Sequence, residues 1–221
     1  MPYSIAIDGP AGAGKSTIAK AVARELGYVY IDTGAMYRAV GLFCLDQAIA
    51  LTDEARVSEA VRDIDITIAY DEDGAQQVFL NGANVSTRIR TQQVGDAAST
   101  VSQYPAVREK MVKLQQSLAE HTSVVMDGRD IASKVLPNAD TKIYLTASVE
   151  ERARRRANEL REKGELCDIA EVEAEIRARD DRDMHRQHSP LIQVPEAVLV
   201  DSSTLTIDET IDRILEICMQ H

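Results

Sequence analysis

The eight residues Gly9-Pro10-Ala11-Gly12-Ala13-Gly14-Lys15-Ser16 constrain this chain more than any other stretch. They match G-x-x-x-x-G-K-[ST] at every fixed position. They also fall between an apolar run, Tyr3 to Ile7, and a helical pattern carried by Ile18, Val22 and Leu26. That strand, loop and helix context separates a phosphate loop from a chance Gly-rich turn. Glycines let consecutive backbone N–H groups turn inward around phosphate oxygens, and the following helix adds the positive end of its dipole. Lys15 is then expected to bridge the β- and γ-phosphates of ATP, with the Ser16 hydroxyl on Mg²⁺ and Thr17 completing the donor-binding set. GTPases, motors, kinases and ATP sensors share such loops, so the loop alone does not establish catalysis.

The remainder of the 221 residues reads as α/β. Short, continuously apolar runs at Tyr3 to Ile7, Tyr28 to Ile31, Val124 to Met126, Thr141 to Leu145 and Ala197 to Val200 suit the strands of a buried parallel sheet. Helical spacing lies between them, as in Val107, Met111, Leu114 and Leu118. Gly27 ends the first helix. Ser148 with Glu151 and Thr206 with Glu209 have the spacing of capping boxes, and Asp168 with Glu171 resembles one with an Asp cap. From Ile64 to Val85 the period changes to two: Ile64, Ile66, Ile68 and Tyr70 share a face, and Asp71 to Gly74 precede Val78 and Leu80. This predicts an inserted β-hairpin.

A formal charge of −11 disfavours nucleic acid and anionic membrane surfaces as partners, so phosphate binding must be local. Cys44, Cys167 and Cys218 are odd in number and form no C-x-x-C pair, which favours a reducing, cytoplasmic setting. No stretch approaches a membrane span or a signal peptide. His185 and His188 have ligand-like spacing, but no third ligand accompanies them and Ser189-Pro190 should end the helix there. They are expected on the surface.

Two features narrow the class. The nearest candidate for a guanine-reading element, Thr141-Lys142-Ile143-Tyr144, ends in tyrosine inside a strand, which excludes a GTPase. Val124-Val125-Met126 leads into Asp127-Gly128-Arg129-Asp130, where a carboxylate followed by a cation suits an anionic acceptor better than a water molecule. Arg38 and Arg129 both follow strand carboxyl ends, where open α/β sheets bind ligands. Phosphoryl transfer between two phosphates needs several fixed cations. The arginines from Arg152 to Arg161 suit either that role or a solvated face with Glu to Arg pairs. The carboxylates Asp8, Asp32 and Asp127 at strand ends could order Mg²⁺ or arginines, or cap turns.

Taken in order, Ile7-Asp8-Gly9-Pro10, Asp32-Thr33-Gly34-Ala35-Met36-Tyr37-Arg38, Ile89-Arg90-Thr91-Gln92, Asp127-Gly128-Arg129-Asp130 and Arg179-Asp180-Asp181-Arg182-Asp183 resemble bacterial cytidylate kinases over nearly the whole chain. The resemblance implies a P-loop core of residues 1–38, 96–149 and 187–221 with a five-stranded parallel sheet in the order 2-3-1-4-5. It implies an acceptor-binding insert at 39–95 and a helical lid at 150–186. The implied reaction is phosphorylation of CMP and dCMP by ATP with Mg²⁺, in the cytoplasm, by a monomer acting on free nucleotides.

The resemblance also assigns roles. Tyr37, Arg38, Arg129 and Arg186 would hold the acceptor phosphate near Thr33. Ser99, Arg108 and Asp130 would read the cytosine edge, Asp183 the sugar hydroxyls, and Arg179 would bridge the transferred group. Lys15, Arg129, Arg179 and Arg186 are thus the expected catalytic cations. Cytosine offers an amino donor beside two acceptors, which a carboxylate and an arginine complement, whereas uracil reverses part of that pattern. Read without the family, Ser99 is a helix cap, Arg108 an exposed helix arginine and Asp130 an ordinary ion-pair partner. Thr33 stands where many relatives have serine, and Ser16 where some have glycine; both keep a usable hydroxyl. The rival readings are a P-loop kinase of another acceptor such as AMP, UMP, TMP or shikimate, a non-catalytic ATP-sensing module, and a nucleic-acid end kinase.

Overall fold

The computed structural model describes residues 2–162 and 164–220. In chain order its first elements are β1 (Ser4–Asp8), α1 (Lys15–Leu26), β2 (Val29–Asp32), α2 (Thr33–Asp46) and α3 (Glu54–Asp63). Three short strands follow, β3 (Ile66–Tyr70), β4 (Gln76–Leu80) and β5 (Ala83–Asn84), then α4 (Gln92–Val101) and α5 (Pro105–Ala119). The chain ends with β6 (Val124–Gly128), β7 (Thr141–Thr146), α6 (Val149–Glu162), α7 (Ile169–His185), β8 (Val198–Asp201) and α8 (Ile207–Cys218). A single π-helical turn, Ile131–Val135, follows β6.

Five strands form one sheet in the order β2-β6-β1-β7-β8. Counting only the five core strands along the chain, this is 2-3-1-4-5; the labels run higher because the three strands of the small sheet intervene. β1 lies at the centre, parallel to β6 on one side and β7 on the other. Its Ile5, Ala6 and Ile7 are all fully buried, as a strand covered on both faces requires. Ile18, Val22 and Ala19 of α1 pack with Ile214 and Ile217 of α8 against Ile5, Ile7, Ile143 and Leu145, which makes the main core.

The chain divides into two compact units, residues 1–30 with 122–221, and residues 31–121. These bounds differ from the expected 39–95 insert and 150–186 lid. Helices α4 and α5 group with the insert, because small residues let α4 lie against α2, with Gly41 beside Ala97 and Ala98. Helices α6 and α7 group with the large sheet, because Arg152 and Asp180 bind each other and the phosphate loop.

The inserted hairpin forms, with Ile66 opposite Leu80 and Ile68 opposite Val78. Asp71 closes its turn by accepting from the Asp73 and Ala75 N–H groups. A third strand, absent from the sequence reading, follows an Asn81-Gly82 turn in which both residues have positive φ. The predicted apolar face narrows along β3, from buried Ile64 and Ile66 to exposed Tyr70.

Two capping expectations need correction. Thr206 and Glu209 form a full capping box. Ser148 caps α6 through the Glu151 N–H, but the reciprocal half is missing: the Ser148 N–H donates to Ser203, and the Glu151 carboxylate accepts from Arg154 and Arg155. Asp168 caps α7 through the Ala170 N–H, one residue earlier than a box would use.

Candidate active site

In the first unit, the loop after β1 delivers its backbone directly to the start of α1. Gly14 is the N-cap, left-handed at φ 82°, and no side chain caps the helix. A Cβ on Gly9 would collide with the Leu145 carbonyl oxygen, so the loop passes β7 at a distance only glycine allows. Lys15 is buried and donates to the Pro10 carbonyl at 2.7 Å. Burial and the neighbouring Arg129 push its ammonium well below the usual lysine range, against an opposing pull from Asp127. Ser16 Oγ donates to Asp127 Oδ2 at 2.9 Å, and the Tyr30 hydroxyl donates to Asp127 Oδ1 at 2.8 Å.

Three arginines of this unit lean on carboxylates within it. Arg129 Nε donates to Asp183 Oδ2 at 2.8 Å. Burial opposes ionisation of Asp183, but Arg129, Arg179 and Arg186 outweigh it and hold the carboxyl below its ordinary range. Arg186 Nη2 lies 3.8 Å from Asp130 Oδ1 with both side chains buried. Arg152 donates to Asp180 at 2.6 Å and to the Ala11 carbonyl at 2.8 Å, while Asp180 accepts from the Ala11 N–H at 3.1 Å. Together they grip Ala11 of the phosphate loop by both its N–H and its carbonyl.

In the second unit, α2 carries Thr33 at its start and Tyr37 and Arg38 one turn later. Asp32 caps the helix through the Ala35 N–H and pairs with Arg90 at 2.9 Å. Arg38 donates to the carbonyls of Ile89 and Thr91 at 2.9 and 3.2 Å. Arg108 is buried, lies 5.3 Å from the Tyr37 ring centre and donates to the Ser102 carbonyl. Ser99 is half-buried within α4 and close to its end.

Residues 5–220 match the family model described as Cytidylate kinase. The chain belongs to the cytidylate kinase family. It is 50% identical over 214 residues to a cytidylate kinase of Caldicellulosiruptor bescii, covering 97% of this chain and 94% of the relative. With a cytidylate kinase of Bacillus subtilis it shares 49% identity over 213 residues, 96% of this chain and 95% of that one. Among solved structures, a gluconokinase from Sinorhizobium meliloti superposes with a TM-score of 0.51 at 14% identity, covering 99% of this chain and 93% of that one. A shikimate kinase from Bacteroides thetaiotaomicron superposes with a TM-score of 0.50 at 14% identity, covering 98% of each chain. These two likenesses concern the fold alone.

Within this cytidylate kinase family fold, the first unit brings together Lys15, Ser16, Arg129, Asp130, Asp183 and Arg186, with Arg179 close enough to act on the charge of Lys15 and Asp183. The second unit brings together Tyr37, Arg38 and Arg108 around α2. The bland readings fail for two residues. Arg108 is buried, not exposed, because α5 turns it onto the Tyr37 ring. Ser99 caps no helix: it lies inside α4, and its carbonyl accepts from Ser102 and Gln103.

The arginine run divides: Arg154, Arg155 and Arg156 make Glu to Arg pairs along α6, whereas Arg152 is buried at the loop. Sequence reasoning did not single out Arg152, Asp180 or Tyr30. An arginine inside an arginine run carries no local signal, and its partner lies 28 residues away. His185 and His188 are exposed, and α7 ends at His185. Among the described residues no cluster of His, Cys, Asp and Glu forms a metal site, and no helix is long and apolar enough to cross a membrane.

Proposed function

We propose that this chain transfers the terminal phosphoryl group of ATP to CMP or dCMP, giving ADP and CDP or dCDP. The observation that carries this reading is the full-length family match together with the charge layout of the first unit. A buried lysine on a phosphate loop stands beside Arg129, and Asp130 next to Arg186 follows directly.

The acceptor phosphate is already largely a dianion near neutral pH, so no general base is needed. Catalysis then consists of positioning and of charge neutralisation by fixed cations. The triphosphate supplies the counter-charge that offsets the burial of Lys15. Arg129, Arg179 and Arg186 stabilise the equatorial oxygens and the acceptor phosphate, with Tyr37, Arg38 and Thr33 on the acceptor side. Ser16 and Asp127, two hard oxygen groups in contact, fit Mg²⁺, which would neutralise charge on the phosphate oxygens. Asp130 accepts the cytosine amino group, Arg108 and Ser99 serve the remaining base edge, and Asp183 the sugar. Helices α6 and α7 act as the lid that excludes water during transfer. The protein works as a monomer on free nucleotides, in keeping with its charge of −11.

A panel of CMP, dCMP, UMP, AMP, TMP and shikimate with coupled ADP detection tests the proposal. CMP and dCMP should give the highest kcat/KM. Turnover of another acceptor with neither cytosine nucleotide active would sink it.

A further inference from the structure

Asp8 is the last residue of β1 and directly precedes the phosphate loop, yet its carboxylate serves another segment. Oδ1 accepts from the Ile131 N–H at 2.9 Å and Oδ2 from the Ala132 N–H at 2.8 Å. These are the first two donors of the π-helical turn Ile131–Val135, whose N-cap residue is Asp130. At an ordinary helix start the N-cap side chain binds those early N–H groups itself. Here the Asp130 side chain does not cap its own turn; its carboxylate faces Arg186 at 3.8 Å. The Asp130 carbonyl meanwhile accepts from Lys134 and Val135. The main chain on both sides of Asp130 is therefore tied down by other groups.

We propose that Asp8 is a positioning residue for acceptor recognition: by capping the turn in place of Asp130, it holds the Asp130 carboxylate toward the base. The inference rests on the reading of Asp130 as the cytosine-reading group. Geometry explains why a carboxylate occupies the site. Two N–H donors need two acceptor oxygens, which an ionised Asp supplies and an Asn does not. The burial is tolerated because the charge is weakly held. Desolvation pushes the Asp8 pKa up to about 6, with the Asp130 charge adding to it and the two amide bonds and Lys15 opposing it. A neutral isostere should accordingly fold.

The test measures kcat/KM for CMP and for UMP, and KM for ATP, in the full chain and three variants. Asp8→Asn should lower the CMP over UMP preference on the order of tenfold, while KM for ATP stays within about twofold. Ala132→Pro removes one of the two donors and leaves the Asp8 charge in place; proline is tolerated in a first turn. It should shift the preference in the same direction by less, and it decides the matter if Asp8→Asn does not fold. Asp130→Asn should abolish most of the preference.

If Asp130→Asn loses the preference while the other two keep it, Asp8 is a cap with no part in recognition and the inference fails alone. Preference kept in Asp130→Asn overturns the reading of Asp130 and the inference with it. A raised KM for ATP with unchanged preference would assign Asp8 to Lys15 instead.

Discussion

The two units fix the arginines of the candidate site by different means, although Arg88 and Arg90 of the second also pair with carboxylates elsewhere. In the first, Arg129, Arg152 and Arg186 lean on the carboxylates of Asp183, Asp180 and Asp130. In the second, Arg38 leans on the carbonyls of Ile89 and Thr91, and Arg108 on the Ser102 carbonyl and the Tyr37 ring. A carboxylate orients a guanidinium and titrates; a carbonyl or a ring orients it and does not. Contacts of the first kind suit a site where several cations must be packed close together, since alternating signs limit their mutual repulsion. Contacts of the second kind hold a cation in place without cancelling its charge. Arg129, Arg152 and Arg186 of the first unit should therefore be sensitive to charge and pH, and Arg38 and Arg108 of the second to shape.

The largest effect belongs to the first unit. Lys15→Ala removes the cation proposed to meet the transferred group and should lower kcat about a thousandfold with every acceptor alike. Steady-state assays with CMP, dCMP and UMP check this. A loss confined to one acceptor would move Lys15 from donor to acceptor chemistry and blur the contrast between the units.

Next comes the pH dependence of stability. Asp8 has its folded pKa raised to about 6 from an ordinary value of 3.8, so the folded state prefers its protonated form. Its contribution to stability is fully present below about pH 4 and is lost as pH rises through 6, a change of roughly 3 kcal/mol. Asp183 has the opposite sign: its folded pKa is lowered, so its contribution is present above the unfolded value and is lost as pH falls through the folded one. Urea unfolding of the wild type and Asp8→Asn between pH 4 and 7 separates the two. The variant should gain on the wild type as pH rises toward 7. Parallel curves would show that Asp8 does not titrate in this window.

Arg38→Ala should follow, with kcat/KM for CMP reduced about a hundredfold and KM for ATP unchanged. Because carbonyls hold it, this penalty should stay constant between about pH 7 and 9, where the acceptor phosphate is already a dianion. A penalty that varies with pH in that range would reveal a titrating group acting on Arg38 and count against an arginine held by shape.

How much of this was legible in the sequence follows the same division by range. The phosphate loop and its flanks were readable because every determinant lies within Tyr3 to Leu26. The hairpin was readable from alternation within Ile64 to Val85, although its third strand is only two residues long and has no period of its own. Asp8 was legible as a strand-end carboxylate, but its partners are 123 and 124 residues away, so its role as a remote cap was not. Arg152 was hidden for a similar reason. Local chemistry favoured a full box at Ser148, and competition from Arg154 and Arg155 for Glu151 removed half of it. Arg108 shows the converse: the helix pattern was right, but only packing shows that the face carrying it is covered by Tyr37.

The smallest predicted effect is the one most specific to shape. Gly95 lies buried in α4, and a Cβ there would come within 2.9 Å of Arg38 Nη2 and 3.0 Å of Nη1. The Thr91 carbonyl that holds Arg38 also accepts from the Gly95 N–H at 3.1 Å, so guanidinium and glycine share one anchor. Gly95→Ala puts a methyl where the guanidinium rests. The backbone has no reason to move, because the clash is with the far end of a flexible side chain. The guanidinium shifts instead, and kcat/KM for CMP should fall about tenfold with KM for ATP unchanged. Stability should change the other way. Alanine in a helix interior is favoured over glycine by about 0.5–1 kcal/mol, so the variant should melt higher than the wild type. A more stable but less active enzyme would mean that the missing side chain at position 95 serves Arg38 rather than the helix. Unchanged activity with a higher melting temperature would show that Arg38 has an equally good resting place, and that shape near α2 matters less than the comparison of the two units requires.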